Sequence, residues 1–185
     1  MVTRNIYDYV ERLSELFRVD LRQAGVEYGL QPVQLEALHY LSLCNRFSDT
    51  PMVVAEYLGQ TKGTVSQTLK VLESKGLLSK HTDANDKRVT HLTLTVKGRK
   101  LLAELVPAPM LTNACNGMTE KARQQVETAL EQVLNAIIEG NAMKSFGVCK
   151  SCRYNSRDGD AYYCNLVEQP LSSDDVERIC REHET

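Results

Sequence analysis

LGQTKGTVSQTLKVLESKGLLSKHTDANDKRVTHLTLTVKGRKLL, residues 58–102, changes its period midway. In TKGTVSQTLKVLESKG the apolar side chains Val65, Leu69 and Leu72 return at steps of three and four, one face of a helix. Gly76 supplies its stop. From Leu77 onward, LLSKHT and VTHLTLT carry alternating and β-branched residues on either side of the polar turn DANDKR. That pattern predicts a hairpin with a charged tip. Just upstream, TPMVVAEYLG predicts a short helix, with Thr50 as its cap, Pro51 at its first position and Gly59 closing it. A short helix, a tight turn at GQT, a second helix and a hairpin make a helix-turn-helix followed by a wing.

Outward from this segment the chain reads mostly as helix. Residues 5–27 place Ile6, Val10, Leu13, Phe17, Leu21 and Ala24 on one amphipathic stripe. LQPVQLEALHYLSLC predicts a further helix with Pro32 in its first turn. After the hairpin, VKGRKLLAELV resumes helical character until Pro107 and Pro109 interrupt it. MTEKARQQVETALEQVLNAIIEG predicts a long final helix from a Thr119 cap to Gly140, with Ala122, Val126, Leu130, Val133 and Ile137 on one side. The expected fold class is mainly α with a small β-hairpin wing (α+β).

Composition sets the compartment and hides a local charge. No apolar run approaches the ~20 residues that span a bilayer, so no membrane partner is expected. The N-terminus does not resemble a signal peptide, and the expected location is the cytoplasm. There, six cysteines are expected as thiols or metal ligands rather than structural disulfides. The formal net charge is −2, yet residues 60–100 hold nine Lys/Arg against three acids. A polyanion docking on this stretch meets the local excess of positive charge, not the total.

The second helix of the motif can enter a major groove, and the hairpin tip can reach phosphates or the adjacent minor groove. Lys62, Thr64, Ser66, Gln67 and Lys70 lie off its apolar stripe and early in the helix. Any one of them alone is an ordinary solvent-facing residue. Together with the hairpin and the local charge they point to double-stranded DNA.

Residues 58–102 resemble the DNA-binding core of the MarR family of bacterial transcriptional regulators. The marks are LESKGLL at the end of the recognition helix, DANDKR at the wing tip and LTLTVKG leading into the next helix. In element order the resemblance extends over about residues 5–140. It implies a homodimer whose terminal helices form the interface, here about residues 4–28 and 118–140 around a winged helix at about 31–100. It further implies a near-palindromic operator and a small-molecule effector pocket between the dimer and DNA-binding parts. By the same resemblance Arg88 is inserted at the minor groove, Asp86 supports the wing and Lys87 contacts the backbone. One departure stands out: Pro107, Pro109 and NACNG interrupt what is usually a long helix leaving the wing.

The chain divides into residues 1–144, resembling the family, and a cysteine-rich tail at 145–185. SRDGDAYY and QPLSSDD are turn-rich, and apolar residues are too sparse for an independent core. Cys149 and Cys152 form a Cys-x-x-Cys pair, followed by Cys164, Cys180 and His183. A Cys-x-x-Cys turn lets two thiolates converge on one ion, and distant ligands complete the site. A structural zinc ion on Cys149, Cys152, Cys164 and Cys180, with His183 as alternative ligand, is the first expectation. An iron–sulfur cluster on the four cysteines is the second. Either would explain how a core-poor segment stays folded. Cys44 and Cys115 read as core or loop residues.

The main expectation is a dimeric DNA-binding regulator carrying a C-terminal metal- or redox-responsive module. Two alternatives remain: a thiol–disulfide redox protein using Cys149 and Cys152, and an interaction adaptor whose winged helix no longer reads DNA. The first lacks the strand-then-helix setting of a redox Cys-x-x-Cys. The second sits badly with the basic recognition helix and wing tip. No catalytic constellation stands out, so an enzyme is not expected.

Overall fold

Side chains at helical spacing leave solvent together and set the core: Leu35, Leu38, Tyr40, Val54, Val65, Leu69 and Leu72 are almost wholly buried. The computed structural model describes residues 2–184, so Met1 and Thr185 of the two spans above lie outside the described residues. The chain runs α1 (Val2–Val26), α2 (Pro32–Leu43), α3 (Pro51–Tyr57) and α4 (Lys62–Ser74) into an antiparallel hairpin, β1 (Leu78–Thr82) and β2 (Thr90–Leu94). Then follow α5 (Val96–Leu105), α6 (Pro109–Asn116) and α7 (Glu120–Gly140). This is the mainly helical winged helix-turn-helix read from the sequence.

Local chemistry sets the boundaries. Thr61 caps α4 by accepting from the Thr64 N–H, and Thr119 caps α7 by accepting from the Ala122 N–H. Thr50 stands at the N-cap of α3 as expected but makes no side-chain cap bond; Pro51 sets that start. Gly76 turns the chain out of α4 at φ +69°. Gly98, in the first turn of α5, permits a close approach to the wing, since a Cβ there would lie 2.1 Å from the Leu77 carbonyl oxygen. The helix leaving the wing is broken at Pro107 and restarts as α6, as the prolines imply.

The outer helices are only partly used. Leu21 and Ala24 of α1 pack on the core, whereas Ile6, Val10 and Leu13 face solvent. No residue of α7 is buried, and Val126, Leu130, Leu134 and Ile137 are all exposed. Among the described residues no helix is long and apolar enough to cross a membrane.

The tail has more structure than its composition suggests. A single 3₁₀ turn (Cys149–Ser151) leads into β3 (Asn155–Asp158), β4 (Ala161–Cys164) and β5 (Gln169–Leu171), an antiparallel sheet in that order, then α8 (Ser173–Val176). Strands of three or four residues are too short for alternation to show in a sequence. Its buried residues Cys149, Leu171 and Val176 pack with Tyr162, Cys164, Cys180 and Phe47, the last from the α2–α3 connection. The tail therefore borrows part of its core from the winged helix.

Polar contacts fasten the same junction. Ile179 N–H donates to the Leu43 carbonyl and Asn45 N–H to the Ile179 carbonyl, both at 3.0 Å. Arg181 N–H donates to Ser48 Oγ at 2.9 Å, and its guanidinium pairs with Glu56 of α3 at 2.6 Å.

Candidate nucleic-acid interface and the adjoining cysteine cavity

Helix α4 turns Val65, Thr68, Leu69 and Leu72 inward, which leaves Lys62, Thr64, Ser66, Gln67 and Lys70 exposed on its outer side. The structure thus gathers all five helix residues singled out in the sequence. Thr64 has a second use, because its hydroxyl lies 3.0 Å from the capping hydroxyl of Thr61. Between α3, α4 and the wing runs an open groove of about 400 Å³ lined by Met52, Lys62, Ser66, Lys80 and Thr90. Lys80 of β1 is tied to Glu73 of α4 at 2.7 Å, which couples the wing to the helix.

At the wing tip, two aspartates organise the turn. Asp83 Oδ1 accepts from the N–H groups of Asn85 (2.7 Å) and Asp86 (2.8 Å). Asp86 accepts from Arg88 Nε at 3.0 Å and Nη2 at 2.8 Å, and also from the Arg88 backbone N–H at 2.9 Å. These bonds hold both carboxyls below the usual range: backbone donors do so for Asp83, the Arg88 side chain first for Asp86. The Arg88 side chain is 90% exposed, so Asp86 aims it without burying it. Lys87 is exposed beside it.

The sequence reading missed the anchor at the wing's base. His91 of β2 bridges Asp49 through Nδ1 and Asp83 through Nε2, the latter at 3.2 Å. Asp49 lies 42 positions away in the chain, and nothing local to either residue signals the pairing. Burial disfavours the imidazolium, but hydrogen bonds and charge from Asp49 and then Asp83 outweigh it, so the His91 pKa is raised. Its neighbour His81 stacks on it with ring centroids 5.3 Å apart.

A raised histidine pKa contributes stability that is complete below the unfolded value, about 6.5. That stability is lost as pH rises through the folded value. We therefore expect NMR titration to place His91 above the ordinary histidine range. Asp49→Asn should move it back down and lower the thermal midpoint at pH 6 by about 2–4 °C. An ordinary His91 titration in the unmodified protein would contradict the bridge.

On the other side of the same wing base lies a cavity of about 350 Å³. Cys149, Cys152, Cys164 and Cys180 all line it, together with Asp83, Val89 and His91 of the wing. Among the described residues no three Cys, His, Asp or Glu side chains converge closely enough to hold one ion. All six cysteines are free. Burial pushes the Cys149 thiol up to about 12, with the neighbouring Cys180, Cys152 and Cys164 adding to it. A dithiol oxidoreductase needs the opposite, a lowered thiol pKa.

His183 is placed elsewhere. It is buried, with Nδ1 2.8 Å from Ser145 Oγ and Nε2 3.0 Å from Ser151 Oγ, so both ring nitrogens face hydroxyls. It clasps the two ends of the tail and does not line the cavity. Gly147 accommodates it, since a Cβ at that position would lie 2.5 Å from Nδ1. Cys44 is buried at the end of α2 and Cys115 half-buried on α6, both outside the cavity lining.

Comparison with known proteins agrees with this architecture. The MarR family model matches residues 28–89, which run from just after α1 to the end of the wing tip. The MepR–DNA complex from S. aureus is 26% identical with a TM-score of 0.57, covering 70% of this chain and 97% of MepR. MepR in its DNA-binding conformation is 25% identical at a TM-score of 0.57, over 71% of this chain and 98% of that one. A MarR transcriptional regulator from Methanosarcina mazei Go1 shares the fold at 19% identity and a TM-score of 0.62, over 74% and 98% of the two chains. Motif order, wing chemistry and these matches agree: over its winged helix the chain is similar to the MarR family of regulators.

Proposed function

We propose that this protein is a cytoplasmic transcriptional regulator that binds double-stranded DNA as a homodimer on a near-palindromic operator. One observation carries the reading. An exposed polar row on α4, of which Lys62 and Ser66 line an open groove shared with Lys80 and Thr90 of the wing, stands with an exposed, carboxylate-aimed Arg88 at the wing tip, the arrangement by which a winged helix reads a major groove and touches the adjacent minor groove. The relative MepR has been solved on DNA, which supports the same use here. Lys62, Lys70 and Lys87 supply phosphate contacts, Ser66 and Gln67 reach base edges, and Thr64 helps hold the helix start.

The exposed stripes of α1 and α7 are the faces on which a second copy packs. That pairing would set two half-sites about one helical turn apart. A small-molecule effector would act between these helices and the winged helix. The cysteine-rich tail is the regulatory module, because it is built onto the α2–α3 connection and the wing's base.

Selection from a random duplex pool, followed by fluorescence anisotropy, tests the reading. Enrichment of an inverted repeat is expected, with affinity falling as salt rises. Lys70→Ala should reduce the slope of log K against log salt by about 0.9 per binding site if Lys70 neutralises one phosphate. A pool that never enriches a sequence would contradict the proposed function.

A further inference from the structure

We propose that Cys149, Cys152, Cys164 and Cys180 hold an iron–sulfur cluster against the base of the wing, one thiolate to each iron of a four-iron cube, and that its presence braces the DNA-binding form. The part concerning DNA rests on the function proposed above; the cluster site does not.

The geometry favours a cluster over the zinc ion that the spacing first suggests. A zinc site needs four ligands at about 2.0–2.3 Å from one point, so its sulfurs nearly touch. Here the four cysteines line a shared cavity of about 350 Å³, and among the described residues no three ligating side chains converge on one ion. A cube spreads its irons, and each cysteine then needs to reach only its own corner.

A second observation points the same way. Asn45 lines this cavity, is 1% exposed, and its Nδ2 donor has no partner among the described residues. A buried amide donor left unpaired costs about 1–3 kcal/mol, and cluster or cysteinyl sulfur is the acceptor the site would offer it. Phe47, Val89, Leu166, Val167 and Leu171 form an apolar part of the remaining wall, and Asp83, Asn155 and Glu182 form a polar part. Arg46, paired with Asp175 at 3.5 Å, and His91 are the cationic groups on that wall, suited to the net negative charge of a four-thiolate cluster.

The route to the DNA face is short. Asn45 and Thr50 line the cavity from the α2–α3 connection, which also carries Asp49, the partner of His91. Asp83, Val89 and His91 line it from the wing. Leu92 N–H of the wing donates to the Asp49 carbonyl at 2.9 Å. A body bound to the four cysteines therefore fills the space under the wing, and its loss removes the support on which Asp49, His91 and Asp83 are arranged.

The test uses the full chain, purified without oxygen. It is incubated with a synthetic iron–sulfur cube carrying small thiolates. Each protein thiol replaces one of these and passes its proton to the departing thiolate, so no oxidant or reductant is needed. The expected result is a brown protein with one iron and one sulfide per site cysteine. Cys115→Ser should load normally, whereas Cys164→Ser should lose the visible absorption. A wild-type chain that refuses the cube, or that holds one zinc on the same thiols, overturns the site, and this reading needs no variant to fold. DNA affinity is then compared between loaded and cluster-free protein. The loaded form is expected to bind at least tenfold more tightly. Equal affinities overturn the bracing while leaving the cluster in place. A loaded protein with no sequence-specific DNA binding would instead overturn the proposed function and, with it, the bracing.

Discussion

Leu130→Glu combined with Ile137→Glu on α7 is expected to turn the protein into a monomer and to weaken operator binding by roughly a hundredfold or more. Both side chains are about half exposed, and α7 buries none of its residues within its own chain. Fully burying one such side chain against a partner contributes about 1.5–3 kcal/mol. The apolar stripe on α7 and the outward part of α1 supply several of these per protomer. A carboxylate placed in that interface must be desolvated without a partner, so two of them reverse the balance. The winged helix has its own core and should fold unchanged, which circular dichroism would check. Losing one of two linked half-site contacts removes the effective concentration that linkage provides, on the order of a hundredfold or more. Sedimentation and anisotropy on the same samples read both effects. A dimer that survives the double change would place the interface on another face.

The second large effect is at the wing. Arg88→Ala should lower operator affinity by at least about tenfold, equivalent to ~1.4 kcal/mol, with dimerisation and melting temperature unchanged. Arg88 contributes almost nothing to the core, being nearly wholly solvent-exposed and held only by Asp86. Its removal therefore subtracts a DNA contact and little else. Arg88→Lys should fall between the two, since it keeps a charge but loses the planar fork that pairs with two acceptors. Asp86→Ala should cost less than Arg88→Ala, because the guanidinium remains and only its aim is lost. Identical affinities for the unmodified protein and Arg88→Ala at moderate salt would remove the wing from recognition.

The winged helix was legible in the sequence because each of its parts writes a local signal. Val65, Leu69 and Leu72 repeat at helical spacing, Gly76 marks a stop, and DANDKR separates two alternating runs. The five exposed residues of α4 followed from the same periodicity, since what is not on the buried stripe must face out. Features built from distant residues left no such trace. The Asp49–His91–Asp83 bridge joins the α2–α3 connection to both sides of the wing. The tail's sheet has strands too short to show a period, and its core is completed by Phe47 from the other part of the chain. The surroundings of His183 could not be read from its spacing. It stands three residues after Cys180, yet its ring is turned to Ser145 and Ser151. The four tail cysteines, by contrast, were recognisable as a set from their spacing, and their common cavity is what the fold adds.

The tail also changes how the wing is to be understood. In the winged helix alone, β1 and β2 would be a two-stranded ribbon held by Lys80–Glu73 and the His91 bridge. Here the ribbon's inner side also looks onto the cysteine cavity, and the α2–α3 connection is pinned from beyond by Ile179 and Arg181. The winged helix and the tail thus share one short stretch, residues 44–50, as common support.

Hydroxyl-radical footprinting of the dimer on its selected duplex tests the central claim most directly. The account predicts two symmetric protected half-sites centred about one helical turn apart, with flanking minor-groove protection that disappears in Arg88→Ala. A single unpaired protected patch, or flanking protection that persists in Arg88→Ala, would contradict it.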